Sequence, residues 1–208
     1  MSESAKYLRR APRRSDIKSV WVGLRPLVKP TENEGSNTKE LSREHTILVS
    51  RSGMVTVTGG KWTTYRAMAE DVLDKCTQCD LLVKTRQGLT RNLRLLGADS
   101  DMATIRPIYE APGWHSYGSE QDFIKTLPGA EQELCPGLTQ AMVRFAARYE
   151  YAMTVEDVLA RRSRLLFLDA RLAGELAVEV GCLLGEETEN NPQVENFKAL
   201  SVNYLLKS

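Results

Sequence analysis

The sequence predicts an α+β fold, in which a short β-hairpin and one helix precede a mainly α-helical bundle. Apolar and polar residues alternate over 54–58, which is the period of a strand with one buried face. Apolar residues recur at helical spacing over 63–76 and again through most of 119–206. Glycine and proline interrupt any such period over 81–118.

The shift in composition after residue 80 divides the chain into three predicted parts. Residues 1–80 form a domain with the hairpin, 81–118 an irregular connector, and 119–208 a helical domain. A chain of 208 residues is long enough for one large domain or two small ones.

The elements of the first domain follow in order. Residues 17–22 are apolar and predict a strand, and the polar, turn-rich residues 29–40 predict a surface loop. The strand 46–50, a tight turn at 51–53 and the strand 54–58 make a hairpin.

A helix over 63–76 follows the hairpin, and Thr63 or Thr64 is a suitable N-cap for it. Five residues of this helix share one predicted apolar face: Tyr65, Met68, Ala69, Val72 and Leu73.

The second domain is predicted to hold four or five helices. One covers 139–152, and a capping box at 154–157 begins another that reaches about Phe167. A very apolar helix over 170–184 is expected to stop at Gly185, and Pro192 opens the last helix.

Charge and cysteine usage exclude several classes of protein. The chain has 28 basic and 27 acidic residues and a net charge of +1, which argues against a general nucleic-acid binder. No stretch approaches the roughly 20 apolar residues that span a bilayer, and no signal peptide opens the chain. We therefore expect a cytoplasmic protein. Six basic residues crowd the start, where they form a solvated face or a contact for acidic lipid or an anionic substrate: Lys6, Arg9, Arg10, Arg13, Arg14 and Lys18.

No metal site is predicted. Cys76 and Cys79 form a lone C-x-x-C, and neither His45 nor His115 lies at ligand spacing from them.

The turn at Gly59, Gly60 and Lys61 is the strongest candidate for a binding site. It lies between a strand and a helix N-terminus, where backbone N–H groups and a partial positive charge attract anions. Lys61 adds a full positive charge. The pattern also fits a turn with no ligand.

The string 59–66, G-G-K-W-T-T-Y-R, resembles a signature of the FAD-dependent glycerol-3-phosphate dehydrogenases and their oxidase relatives. The resemblance extends to V-W-V-G-L-R-P-L at 20–27 and L-S-R-E-H at 41–45. Downstream it includes A-A-R-Y-E at 146–150 and T-V-E-D-V-L-A-R-R at 154–162.

The resemblance implies a membrane-associated flavoenzyme that passes electrons from glycerol 3-phosphate through FAD to quinone. The strand–helix segment would then belong to a flavin-binding domain. Because no G-x-G-x-x-G follows a strand, the chain is expected to be a C-terminal portion that alone is inactive and retains no FAD.

The resemblance also implies roles for particular residues. Lys61 and Arg25 of G-L-R-P would contact the substrate, Arg25 by gripping its phosphate. Four further residues would face the cofactor together with Lys61: Gly59, Gly60, Thr63 and Thr64. Arg43 and Arg66 either assist the phosphate or stabilise the fold, and His45 is either a base or a hydrogen-bonding spacer; the structural role is favoured for all three. A structural salt bridge to the loop is the alternative for Arg25, and no residue is assigned as the general base.

Charged residues on two successive helices predict an ion-pair network rather than a catalytic cluster: Arg148, Glu150, Arg161, Arg162 and Asp169. Two other functions stay open. One is a glycerol-3-phosphate oxidase with oxygen as acceptor, and the other is a non-catalytic helical interaction module.

Overall fold

The computed structural model describes residues 3–24, 45–83, 88–98, 106–107 and 110–207. Helices and two small antiparallel sheets make up these residues, so the mixed α+β class is confirmed. The predicted loop at 29–40 lies outside the described residues.

The chain divides into two compact units. The hairpin unit holds the described residues of Gly23–Arg94. The helical unit combines those of Met1–Val22 with those of Leu95–Ser208.

The hairpin unit contains the predicted hairpin. Strand β1 (His45–Val49) pairs with β2 (Val55–Gly59) in antiparallel register, with Ile47 opposite Val57. The turn between them closes through a hydrogen bond from Ser50 N–H to the Met54 carbonyl, at 2.9 Å.

Helix α1 (Tyr65–Gln78) follows a 3₁₀ turn at Trp62–Thr64, so it begins two residues later than predicted. Its inward face carries Met68, Val72 and the buried Cys76 at four-residue spacing. The predicted face was wrong in part: Tyr65 and Leu73 are 52% and 57% exposed, and Ala69 is exposed as well.

The described residues of the helical unit form longer helices, short helices and strands, and 3₁₀ segments that include Trp114–Glu120. Its longer helices are α3 (Gln140–Tyr149), α5 (Ala170–Glu187) and α6 (Val194–Asn203), and a π-helix covers Asp157–Arg162. The short elements are α2 (Gln121–Ile124), β3 (Glu133–Cys135), β4 (Leu138–Thr139) and α4 (Leu165–Leu168).

Helix α5 lies at the centre of this unit and packs against α3, α4 and α6. Val180 and Leu184 on α5, Phe197 on α6 and Met142 on α3 are almost completely buried. The amphipathic spacing predicted for these helices therefore forms one continuous apolar core.

The strand predicted at 17–22 is wrong. This segment has no regular secondary structure, and its backbone bonds to the end of α6 instead of to a sheet: Val20 N–H donates to the Tyr204 carbonyl at 2.8 Å. Trp21 packs edge-on against Phe167, with ring centroids 5.3 Å apart. The apolar residues thus meet helices rather than another strand.

The capping box at Thr154 and Asp157 is confirmed, since the Asp157 carboxylate accepts from Thr154 N–H at 2.9 Å and Asp157 N–H donates to the Thr154 hydroxyl at 3.2 Å. The helix does not continue to Phe167, because Arg164 adopts a left-handed conformation (φ 57°). The predicted stop at Gly185 is also wrong: α5 continues to Glu187, whose carboxylate pairs with arginine side chains of α3.

Candidate functional site

The junction between β2 and α1 brings the glycine pair and Lys61 together. Gly59 and Gly60 both have φ of +79°, a region that favours glycine. A Cβ added to Gly60 would lie 2.6 Å from Met68 Sδ and 3.1 Å from His45 Cβ. The positive φ and the close packing both favour glycine at residue 60, which is also what a turn with no ligand would need.

Lys61 has an extended backbone (φ −125°, ψ 146°) and is exposed. Its carbonyl accepts from Thr64 N–H at 3.0 Å and from the Thr64 hydroxyl at 2.9 Å. Thr64 occupies the N-cap position of α1, but its side chain accepts no cap hydrogen bond, so the predicted side-chain cap was wrong. Its hydroxyl instead fixes the turn that presents Lys61.

The 3₁₀ turn and α1 leave positive potential at this junction. The first N–H groups of a helix have no intrahelical acceptor, which applies here to Trp62 and Thr63. These donors adjoin the ammonium-bearing Lys61 in sequence and suit an anionic or electron-rich group.

An exposed aromatic pair at the same turn was missed from the sequence. Trp62 and Tyr65 stack with centroids 5.6 Å apart and an interplanar angle of 28°. Trp62 is 86% exposed. Two aromatic residues three positions apart, where a turn enters a helix, were the available signal.

Two side-chain contacts hold the rest of the junction. His45 Nε2 lies 2.9 Å from Asp71 Oδ2, which ties β1 to α1. Arg66 Nη1 lies 2.5 Å from Glu70 Oε1 within α1. Both residues thus have structural partners, in agreement with their structural interpretation.

Of the predicted site residues, the structure places Gly59, Gly60, Lys61, Thr63 and Thr64 at one junction. Arg25 and Arg43 lie outside the described residues, so the pairing of Arg25 with Lys61 stays a prediction. No cluster of three or more potential metal ligands occurs within the described ranges.

The predicted ion-pair residues of the helical unit each have a charged partner. Arg148 Nε lies 2.5 Å from Glu187 Oε2 and joins α3 to α5. The other pairs are Arg162 with Glu150 (3.5 Å), Asp169 with Lys18 (2.6 Å), and Arg161 with Glu156. Hydrogen bonding to Arg148 lowers the pKa of Glu187, burial opposes this, and Arg144 adds to the lowering.

Among the described residues no helix is long and apolar enough to cross a membrane. The cytoplasmic location stays a prediction.

Comparison with known proteins places the chain in a family. Residues 89–194 match the family model of the C-terminal domain of alpha-glycerophosphate oxidase. No solved structure matches the chain.

Curated relatives carry one recurring name. A mitochondrial glycerol-3-phosphate dehydrogenase of Arabidopsis thaliana is 35% identical over 87% of this chain and 33% of its own length. The mitochondrial enzyme of Rattus norvegicus is 32% identical over 84% of this chain and 26% of its own. Glycerol-3-phosphate dehydrogenase 2 of Mycobacterium tuberculosis is 33% identical over 73% of this chain and 28% of its own. The chain spans about a third or less of the length of these relatives.

The family match covers half of the chain and agrees with the resemblance seen in the sequence motifs. The chain therefore belongs to the family of the alpha-glycerophosphate oxidase C-terminal domain, whose relatives here are glycerol-3-phosphate dehydrogenases.

Proposed function

We propose that this chain is part of a flavoenzyme that oxidises sn-glycerol 3-phosphate to dihydroxyacetone phosphate. Electrons pass through FAD to quinone. The names of the relatives support the activity. The observation that carries the proposal is the junction of Gly59, Gly60 and Lys61, because it combines an exposed ammonium group with a helix N-terminus.

The residues at this junction fit a flavin in their chemistry. Backbone N–H groups of residues 61–63 and the Lys61 ammonium are donors for the electron-rich edge of the ring, with Thr63 and Thr64 beside them. The exposed Trp62–Tyr65 stack offers a planar apolar surface. When bound, FAD accepts the hydride that leaves the alcohol carbon.

The substrate phosphate is assigned to Lys61 and Arg25. A guanidinium grips two phosphate oxygens through parallel hydrogen bonds, whereas an ammonium acts as a point charge. Both residues therefore bind and orient the substrate rather than move its proton.

Peripheral membrane contact is proposed for the N-terminal residues. Arg9, Arg10 and Arg13 are exposed next to Tyr7, which is itself 81% exposed. Basic side chains beside an exposed aromatic residue suit an anionic lipid surface.

Oxygen is the second candidate acceptor, because the matched family model is named for an oxidase. Peroxide formation from glycerol 3-phosphate in the absence of quinone would identify that acceptor.

A Lys61→Ala variant tests the proposal in the whole enzyme, in the form in which the cell produces it. Loss of one charged contact to phosphate costs about 1.5–3 kcal/mol, so kcat/KM for glycerol 3-phosphate should fall roughly tenfold to a hundredfold. The assay is glycerol 3-phosphate-dependent reduction of a quinone analogue, with flavin content measured by absorbance.

Lys198→Ala on α6 is the matched control and should retain full activity. An unchanged kcat/KM in Lys61→Ala contradicts the proposal, as does the absence of any glycerol 3-phosphate oxidation by the unsubstituted enzyme.

A further inference from the structure

A cavity of about 800 Å³ lies in the helical unit, and every residue lining it belongs to that unit. Its walls come from residues 95–98, from the 3₁₀ segment Trp114–Glu120, and from residues 162–164 after the π-helix. The volume is within the range of small-molecule sites, roughly 300–1,000 Å³.

The charged side chains that line this cavity differ in whether they already have a partner within the protein. Arg106, Arg162 and Arg164 line it together with the acids Glu120 and Glu150. Arg106 Nη1 lies 3.6 Å from Glu110 Oε2.

The guanidinium of Arg162 is already bound by other groups of the protein. It forms ion pairs with Glu150 and Asp157 at 3.5 and 3.9 Å, and it donates to the backbone carbonyls of both residues. Arg164 is exposed and has no ion-pair or hydrogen-bond partner for its guanidinium in the part of the chain that the structure describes. It is the cation left for a ligand.

The backbone at Arg164 is unusual for a residue with a side chain. Its φ of 57° and ψ of 20° are left-handed, a conformation that a Cβ disfavours. The residue follows a π-helix, Asp157–Arg162. The Ser163 hydroxyl fixes the turn by donating to the Val158 carbonyl at 3.1 Å. Strained residues and π-helical turns are both found preferentially at functional sites.

Two further side chains that line the cavity can form hydrogen bonds, Tyr117 and Glu150. Burial and the nearby Glu150 charge raise the pKa of Tyr117 to about 12, against the effect of Arg162, so its hydroxyl stays protonated. Burial raises the pKa of Glu150, Arg162 opposes this, and Glu120 adds to the rise. A tyrosine hydroxyl donates and accepts hydrogen bonds and a carboxylate accepts them, so both side chains suit the hydroxyls of a ligand.

We propose that this cavity binds a small phosphate-bearing anion, with Arg164 holding the phosphate and Tyr117 and Glu150 facing the hydroxyl-bearing part of the ligand. A single unpaired guanidinium suits the two oxygens of a phosphate group. The inference concerns the helical unit alone and does not depend on the reaction assigned to the junction at Lys61.

Titration calorimetry on the 208-residue chain at constant ionic strength tests this inference. The probes are inorganic phosphate and sn-glycerol 3-phosphate. Both should bind, and the glycerol ester should bind more tightly because it also reaches Tyr117 and Glu150. Arg164→Gln should weaken phosphate binding at least tenfold.

Arg164→Gly separates binding from folding, because glycine adopts the left-handed conformation without strain. It should retain the thermal stability of the chain and still lose phosphate binding. Arg171→Gln removes the same charge from an exposed position on α5 outside the cavity and should leave binding unchanged.

Three outcomes would overturn the inference. In the first, neither probe binds the unsubstituted chain. In the second, Arg171→Gln weakens binding as much as Arg164→Gln does. In the third, Lys61→Ala abolishes binding while Arg164→Gly preserves it. The last outcome would assign the phosphate to the junction instead.

Discussion

The two units differ in how much apolar surface they bury. In the helical unit, side chains from α3, α4, α5 and α6 form one core that includes Leu184 and Phe197. In the described part of the hairpin unit, Cys76 is the only buried apolar residue. Leu48 and Val57 of its two strands are 51% and 41% exposed.

The candidate flavin junction therefore lies in one unit, and most of the buried apolar contacts that stabilise the fold lie in the other. A two-stranded hairpin is marginal in water unless it packs against further strands or a helix, and here α1 contributes little buried apolar surface beyond Cys76. Regions with few buried contacts open most readily, and ligand-binding segments are often among them. The helical unit, by contrast, has the core from which cooperative stability arises.

Phe197→Ala should have the largest effect on this comparison. The side chain is 2% exposed between α6 and α5, and truncating a buried Phe costs about 3–5 kcal/mol. Val57→Ala in β2 should cost less than about 1 kcal/mol, since nearly half of its surface already meets solvent. Urea denaturation followed by circular dichroism measures both. A cost for Val57→Ala as large as that for Phe197→Ala would contradict this comparison.

Glu187→Gln should have the second-largest effect on stability, and this residue also lies in the helical unit. Its carboxylate is mostly buried and lies 2.6 Å from Arg144 Nη1 and 2.5 Å from Arg148 Nε. Removing the charge leaves Arg148 without its carboxylate partner and Arg144 with Glu186 alone, at a cost of about 2–3 kcal/mol given their partial exposure. Glu186→Gln is the control: it also contacts Arg144 but is 58% exposed, so it should cost less than about 1 kcal/mol.

The contribution of Glu187 to the free energy of unfolding should depend on pH in a definite direction. The folded-state pKa of Glu187 is lowered from its ordinary value of 4.5, first by hydrogen bonding to Arg148, with burial opposing. Its contribution is therefore fully present above pH 4.5 and disappears as the pH falls through the folded-state pKa. Unfolding free energy should fall more steeply below pH 4.5 in the unsubstituted chain than in Glu187→Gln. Parallel curves would contradict the assignment.

Local patterns in the sequence predicted those elements whose partners are near in the chain. The alternation at 54–58 and the turn at 51–53 determine a hairpin, and Thr154 and Asp157 satisfy each other within one helical turn. The junction of Gly59 to Thr64 is predictable for the same reason, because consecutive residues form it.

Elements that depend on distant partners were not predictable. Residues 17–22 have strand-like composition, but the carbonyl of Tyr204 and the ring of Phe167 determine their position. Gly185 is a reasonable helix stop until Glu187 meets two arginines from α3. The cavity at Arg164 is lined by segments more than sixty residues apart in sequence, so no local sequence pattern predicts it.

Gly60→Ala should give the smallest effect, and it addresses the hairpin unit directly. A left-handed residue with a Cβ costs about 1–2 kcal/mol, and the contact 2.6 Å from Met68 Sδ adds little because that side chain is flexible. Amide hydrogen exchange in α1 should accelerate roughly fivefold to thirtyfold, while exchange in α5 stays unchanged.

Gly185→Ala is the matched control, because its added Cβ meets open space within a helix. Alanine there should slow exchange in α5 by a few fold, since it has the higher helix propensity by about 1 kcal/mol. If Gly60→Ala instead accelerates exchange in both helices equally, the units unfold together. The junction at Lys61 would then derive its stability from the helical core.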